Sequence, residues 1–126
     1  MKRDPRLYVD DILDAIKKID EYRECLTFQD FSKDTKTVDA VVRNFEIIGE
    51  AAKRIPSGIR LKYAQVPWKQ MAGTRDKLIH EYFGINLKVL WKAMNKDIPA
   101  LKPKIEEILR QEDEDQPKSS AKSTPT

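Results

Sequence analysis

Val38, Val41, Val42, Phe45, Ile48, Gly49, Ala52 and Ile55 recur at intervals of three and four, and that spacing constrains the fold more than any other feature of the chain. Residues at these intervals share one side of an α-helix, so the stripe must be buried against other elements. Asp34 or Thr35 caps the start of this helix, and Pro56-Ser57-Gly58 ends it. Gly49, inside the stripe, costs about 1 kcal/mol relative to alanine, which predicts that another helix passes close by.

The rest of the chain repeats the pattern. Asp4-Pro5 opens a first helix, with a capping carboxylate before a proline whose missing N–H is harmless there, and Tyr8, Ile12, Ala15, Ile16 and Ile19 form its stripe. Asp10, Asp11 and Asp14 lie off that stripe and read as solvated charge, the alternative being a basic partner near the motif described below. Thr27-Phe28-Gln29-Asp30 has the spacing of a helix start, with Phe28 and Phe31 folding a short connector against the core. Residues 57 to 66 read as a loop with one short helix, after which Pro67 restarts a helix carrying Trp68 and Met71 inward. Trp68 is capable of stacking a base, although sharing a face with Met71 favours core packing. Asn86 caps the next helix, with Leu87, Leu90, Trp91 and Met94 inward, and Asp97-Ile98-Pro99 starts the last, with Leu101, Ile105, Ile108 and Leu109.

Period-two alternation is absent throughout, so the expected fold is all-α, an antiparallel bundle of about four to five helices. At 126 residues the chain fits one domain, expected over residues 1–110. Residues 111–126 carry acidic residues, serines, threonines, prolines and lysines with nothing to bury, and are expected to be a disordered tail. Lacking a bilayer-length apolar run and a secretory leader pattern, the chain reads as cytoplasmic. One cysteine, Cys25, excludes an internal disulfide, and one histidine excludes most zinc designs, so no cofactor or metal is expected.

The chemistry concentrates in Gly73-Thr74-Arg75-Asp76-Lys77-Leu78-Ile79-His80-Glu81-Tyr82-Phe83-Gly84. It combines a planar guanidinium fork suited to phosphate, the only imidazole in the chain and a modifiable phenol. Residues 53 to 77 add Lys53, Arg54, Arg60, Lys62, Lys69, Arg75 and Lys77 against Asp76 alone, a candidate RNA-binding patch whose attraction for polyanions would weaken with salt. One step around the central helix, Asp39, Arg43, Glu46, Glu50 and Lys53 form a charged stripe. It reads either as a solvated face with pairs such as Asp39 with Arg43, or as a wall of the site, with Glu46 and Glu50 sharing Arg75 or a cation from a second subunit. On an ideal helix Arg75 and Tyr82 lie about 20° apart, whereas His80 is about 140° from Arg75. Either the Gly73-Thr74 region loosens the helix and lets Arg75 swing round, or a symmetry-related copy completes the site.

Arg75-x4-His80-x-Tyr82 resembles the signature of the HEPN superfamily, and specifically of its HepT branch. Arg43-Asn44-Phe45-Glu46-Ile47-Ile48-Gly49-Glu50-Ala51-Ala52 is similar to that branch's central helix, and Pro67-Trp68-Lys69-Gln70-Met71-Ala72-Gly73 to the segment leading into its motif. The resemblance implies a homodimeric, metal-independent endoribonuclease, the toxin of a type VII toxin–antitoxin pair, cleaving mRNA or tRNA with Arg75 and His80 as catalytic residues. It also implies a minimal nucleotidyltransferase (MntA-like) antitoxin that silences the enzyme by adding AMP to Tyr82. The alternative is a non-catalytic HEPN module that binds a nucleotide or a partner.

Overall fold

The computed structural model describes residues 3–80 and 86–114, with residues 75–80 described by their backbone alone. Its elements are α1 (Pro5–Arg23), α2 (Phe28–Lys33), α3 (Thr35–Arg54), α4 (Ser57–Lys62), α5 (Trp68–His80), α6 (Leu87–Lys92), a π-helical turn (Ala93–Asp97) and α7 (Ile98–Glu114). Strands are absent from the described residues, so the expected all-α bundle is the fold. Four long rods build it: α1, α3, α5 and the continuous path from α6 through α7. Of these, α1 packs on α3 and α7, and α3 packs on α5.

Local chemistry starts each helix where expected. The Asp4 carboxylate accepts from the Arg6 N–H ahead of Pro5. Thr27 and Asp30 form a reciprocal capping box, and Asp34, rather than Thr35, caps α3 by accepting from the Thr37 N–H. The α3 stripe is buried through Val41, Phe45, Ile48, Gly49 and Ala52. In α1 the stripe begins at Val9, which is fully buried, with Tyr8 only half-buried beside it. Asp11 pairs with Arg3 at 2.8 Å, within the same end of α1, while Asp10 and Asp14 are exposed.

Past α1 the chain turns at Cys25, whose φ of 62° is left-handed. That conformation after a helix suits glycine and strains any residue with a Cβ. Cys25 is exposed and unpaired. Cys25→Gly is therefore expected to stabilise the fold by about 0.5–1 kcal/mol, read as a higher urea midpoint at unchanged slope. An unchanged or lower midpoint would contradict the strain.

Two sequence expectations are corrected. Asp97 does not cap a new helix, because α6 and α7 are joined without a break. The Ile98 N–H donates to Ala93 O, five residues back, and this wide turn accommodates Pro99, which lacks the N–H and whose ring would crowd a regular turn. Side chains brace it: Asn95 donates to Trp91 O at 2.9 Å and accepts from Arg23, while Asp20 accepts from Arg23 at 3.0 Å and Lys102 at 3.3 Å. The second correction concerns the tail boundary, expected at residue 111. Helix α7 runs through Gln111 to Glu114. Its last turn is held from outside the helix, with Glu112 accepting from Tyr63 Oη at 2.6 Å and Lys62 Nζ at 3.0 Å, and Asp113 accepting from Arg6 at 2.6 Å. Residues 115–126 of the expected tail lie outside the described residues.

Tyr63 is the hub of this end of the bundle. Its backbone carbonyl accepts from Trp68 Nε1 at 3.1 Å, which ties the start of α5 to the end of α7. Burial, and then the Glu112 hydrogen bond, push the Tyr63 phenol up to about 12. A raised pKa means that the folded state holds the proton more tightly. This contribution to stability is thus complete below the ordinary tyrosine value of about 10 and lost as pH rises from there through about 12. Tyrosinate absorbance should show one late-titrating residue that disappears in Tyr63→Phe; its persistence in the variant would refute the assignment.

Candidate functional site

The motif sits on α5, and the course of that helix decides what its residues can do. Helix α5 runs unbroken from Trp68 to His80, straight through Gly73 and Thr74. Thr74 does not open the turn: its Oγ1 donates to Gln70 O at 2.9 Å, the back-bond that lets a threonine sit within a helix. The expected loosening before Arg75 is therefore absent. Positions 75 and 80 retain the roughly 140° separation of a regular helix. Tyr82 and the expected helix end at Phe83-Gly84 lie outside the described residues, as do the side chains of Arg75, Lys77 and His80.

At its start α5 is anchored by Trp68 and Met71, both buried, so Trp68 is a core residue and not a stacking platform. Helix α5 lies on α3, which carries the charged stripe. The pair formed there is Arg43 with Glu46 at 3.6 Å, rather than the expected Asp39 with Arg43. Arg43 is 70% exposed and Glu46 only 25%, so the pair adds little stability and leaves the guanidinium open to solvent. Glu50 and Arg43 also border a small cleft of about 180 Å³ with Arg3, Tyr8, Asp11 and Arg54.

The basic residues gather at the end of the bundle where α3 stops and α5 starts. Lys53 and Arg54 are exposed on the last turn of α3, Arg60 and Lys62 on α4, and Lys69 on the first turn of α5. Lys62 is committed to Glu112. Arg60 and Lys69 flank a shallow cleft of about 640 Å³ with Leu61, Val66 and Pro67. Helical rise puts Lys69 about 9 Å along α5 from position 75 and about 16 Å from position 80.

A feature that sequence reasoning missed is a groove of about 650 Å³ between α5 and α7. These two rods make no more than marginal contact among the described residues, so the bundle is open on this side. Phe45, Ile48, Met71, Ile98 and Leu101 form an apolar floor. Gln70, Thr74, Asp97 and Lys104 stand along its edges. Polar residues on amphipathic helices look alike in sequence, and nothing in their spacing marks which of them border a gap. Among the described residues no cluster of three or more His, Cys, Asp or Glu side chains is placed to hold a metal ion, and no helix is long and apolar enough to cross a membrane.

A family model described as "Ribonuclease HepT-like" matches residues 12–108, which include α5 and the whole of the motif. The chain belongs to the HepT-like ribonuclease family. Among its relatives, the probable ribonuclease HepT of Thermococcus cleftensis is 48% identical over 108 residues, covering 86% of this chain and 98% of its own length. A candidate RNase of Methanocaldococcus jannaschii is 47% identical over 109 residues, with 86% and 90% covered. Another, from Caldanaerobacter subterraneus subsp. tengcongensis, is 46% identical over 108 residues, with 86% and 96% covered. No solved structure matches this HepT-like chain at a significant level.

Proposed function

We propose that this HepT-like ribonuclease is a metal-independent endoribonuclease that acts as the toxin of a type VII toxin–antitoxin pair. Membership of a ribonuclease family makes it an RNA-cleaving enzyme. The finer reading is carried by Arg75-x4-His80-x-Tyr82 on α5 of a chain that matches this family from end to end of its bundle. Its substrate is mRNA or tRNA.

Cleavage needs a base to take the proton of a ribose 2′-hydroxyl, an acid to protonate the leaving 5′-oxygen, and positive charge on the phosphate. The 2′-oxygen bonds to phosphorus, the bond to O5′ breaks, and the products are a 2′,3′-cyclic phosphate and a 5′-hydroxyl. DNA lacks the nucleophile. His80 supplies the proton transfers and Arg75 grips the phosphate. The unbroken course of α5 supports a site shared by two subunits, because one regular helix aims positions 75 and 80 apart, and a two-fold axis lets the two histidines divide the acid and base roles. Arg43, Glu46 and Glu50 on the neighbouring helix wall the site, and Lys53, Arg54, Arg60, Lys69 and Lys77 extend the hold on the RNA backbone. Lys62 is the weakest of that set, since Glu112 already occupies it.

Silencing follows from the position of Tyr82. In AMP transfer the phenolic oxygen attacks the α-phosphorus of ATP, pyrophosphate leaves and the phenol loses its proton. Nucleotide phosphates two residues from His80 then compete with the substrate phosphate for Arg75. The test of the shared site is subunit mixing: Arg75→Ala and His80→Ala proteins, each inactive, regain part of the activity when combined and exchanged. A monomer that cleaves RNA would contradict it. Intact-mass analysis after incubation with the nucleotidyltransferase and ATP should show AMP on the wild type and none on Tyr82→Phe.

A further inference from the structure

The open side of the bundle has the chemistry of a ligand site. Pockets of about 300–1,000 Å³ with apolar walls and a few convergent polar groups hold small ligands, commonly between the helices of a bundle, and the α5–α7 groove, at about 650 Å³, falls within that range. Its polar groups are uncommitted. The Gln70 amide and the Asp97 carboxylate have no protein partner among the described residues, and Lys104 makes only a long bond of 3.5 Å to Gln65 O. Asp97 and Lys104, seven residues apart, share one face of the rod about 10 Å from each other. Opposite them on α5 stand Gln70 and Thr74, one turn apart, and a Cβ built at Gly73 between them meets nothing within 4 Å.

That layout has an acceptor carboxylate and a bifunctional amide toward one end, an apolar floor between, and a cation at the other. A nucleotide presents the matching sequence: N–H and C=O groups on the base edge, an apolar base face, and a phosphate beyond the ribose. The α5 wall of the groove ends at Thr74, next to Arg75, so a strand whose scissile phosphate lies at Arg75 has a neighbouring nucleotide within reach.

We propose that this groove holds one unstacked nucleotide of the RNA substrate, its base edge read by Gln70 and Asp97 and its phosphate directed to Lys104. The inference rests on the ribonuclease reading and makes Gln70 and Asp97 specificity-determining residues.

The experiment maps cut positions in a randomised RNA pool for the wild type, Gln70→Ala, Asp97→Asn and Ala100→Trp, the last filling the groove from an exposed position on its lip. Expected is a base preference beside the wild-type cut that changes in Gln70→Ala and Asp97→Asn. In Ala100→Trp, KM should rise about tenfold at nearly unchanged kcat, the size of one lost base contact. An unchanged cut pattern and KM in all three variants overturns the groove assignment and leaves the ribonuclease reading intact. Ultraviolet cross-linking of the same pool separates the remaining cases. Adducts on the tryptic peptides spanning residues 70–75 and 97–104 support the assignment whether or not the RNA is cut, and bound RNA whose adducts all fall elsewhere contradicts it. Displacement of those adducts by AMP at concentrations that leave the RNA bound identifies a free-nucleotide site and overturns the assignment to the strand.

Discussion

His80→Ala is expected to lower RNA cleavage by roughly 10²–10⁴-fold, the span that a positioned proton-transfer group contributes. The loss should fall on kcat, because the imidazole acts on protons that move only in the transition state. Arg75→Ala should lose a comparable factor divided between KM and kcat, since a guanidinium grips phosphate in the ground state and more strongly as charge builds on it. Arg75→Lys should not restore activity, because an ammonium cannot reproduce the two-pronged contact. A His80→Ala enzyme within a few-fold of wild type would remove histidine from the chemistry.

The largest effect on stability is expected at Phe31→Ala, about 3–5 kcal/mol. Phe31 is fully buried on the short helix α2 and meets the Trp91 ring at a centroid distance of 5.3 Å. Phe28 meets the same ring edge-on at 6.0 Å. The three rings pin the α2 connector to α6, so truncation opens a cavity and releases an aromatic contact worth about 1 kcal/mol besides. Against a typical total of about 5–15 kcal/mol, this should shift the urea midpoint far to the left with the slope retained. A loss under about 1 kcal/mol would mean that α2 is not bound to the core through this residue.

What sequence made legible is what repeats locally. The α3 stripe from Val38 to Ile55, the Asp4 cap and the Thr27–Asp30 box depend on residues three or four apart, and the structure reproduces them. The family could be read the same way, because Arg75, His80 and Tyr82 stand at fixed spacing. What depends on long-range contact could not be read. Pro99 looks like a helix start, yet here it follows a π turn braced by Asp20, Arg23 and Lys102 from two other parts of the chain. Gln111–Glu114 looks like the start of a tail, yet Tyr63 and Arg6 hold it in helix α7. The groove is harder still, since it arises where two helices fail to pack, and no residue type signals a missing contact.

The most direct test of the account is cleavage of RNA by the purified, unmodified protein in EDTA, with analysis of the product ends. The account predicts cleavage that persists in EDTA, leaves 2′,3′-cyclic phosphate and 5′-hydroxyl ends, and disappears in both Arg75→Ala and His80→Ala. Cleavage that is lost on chelation, or that continues unchanged in both variants, would contradict it.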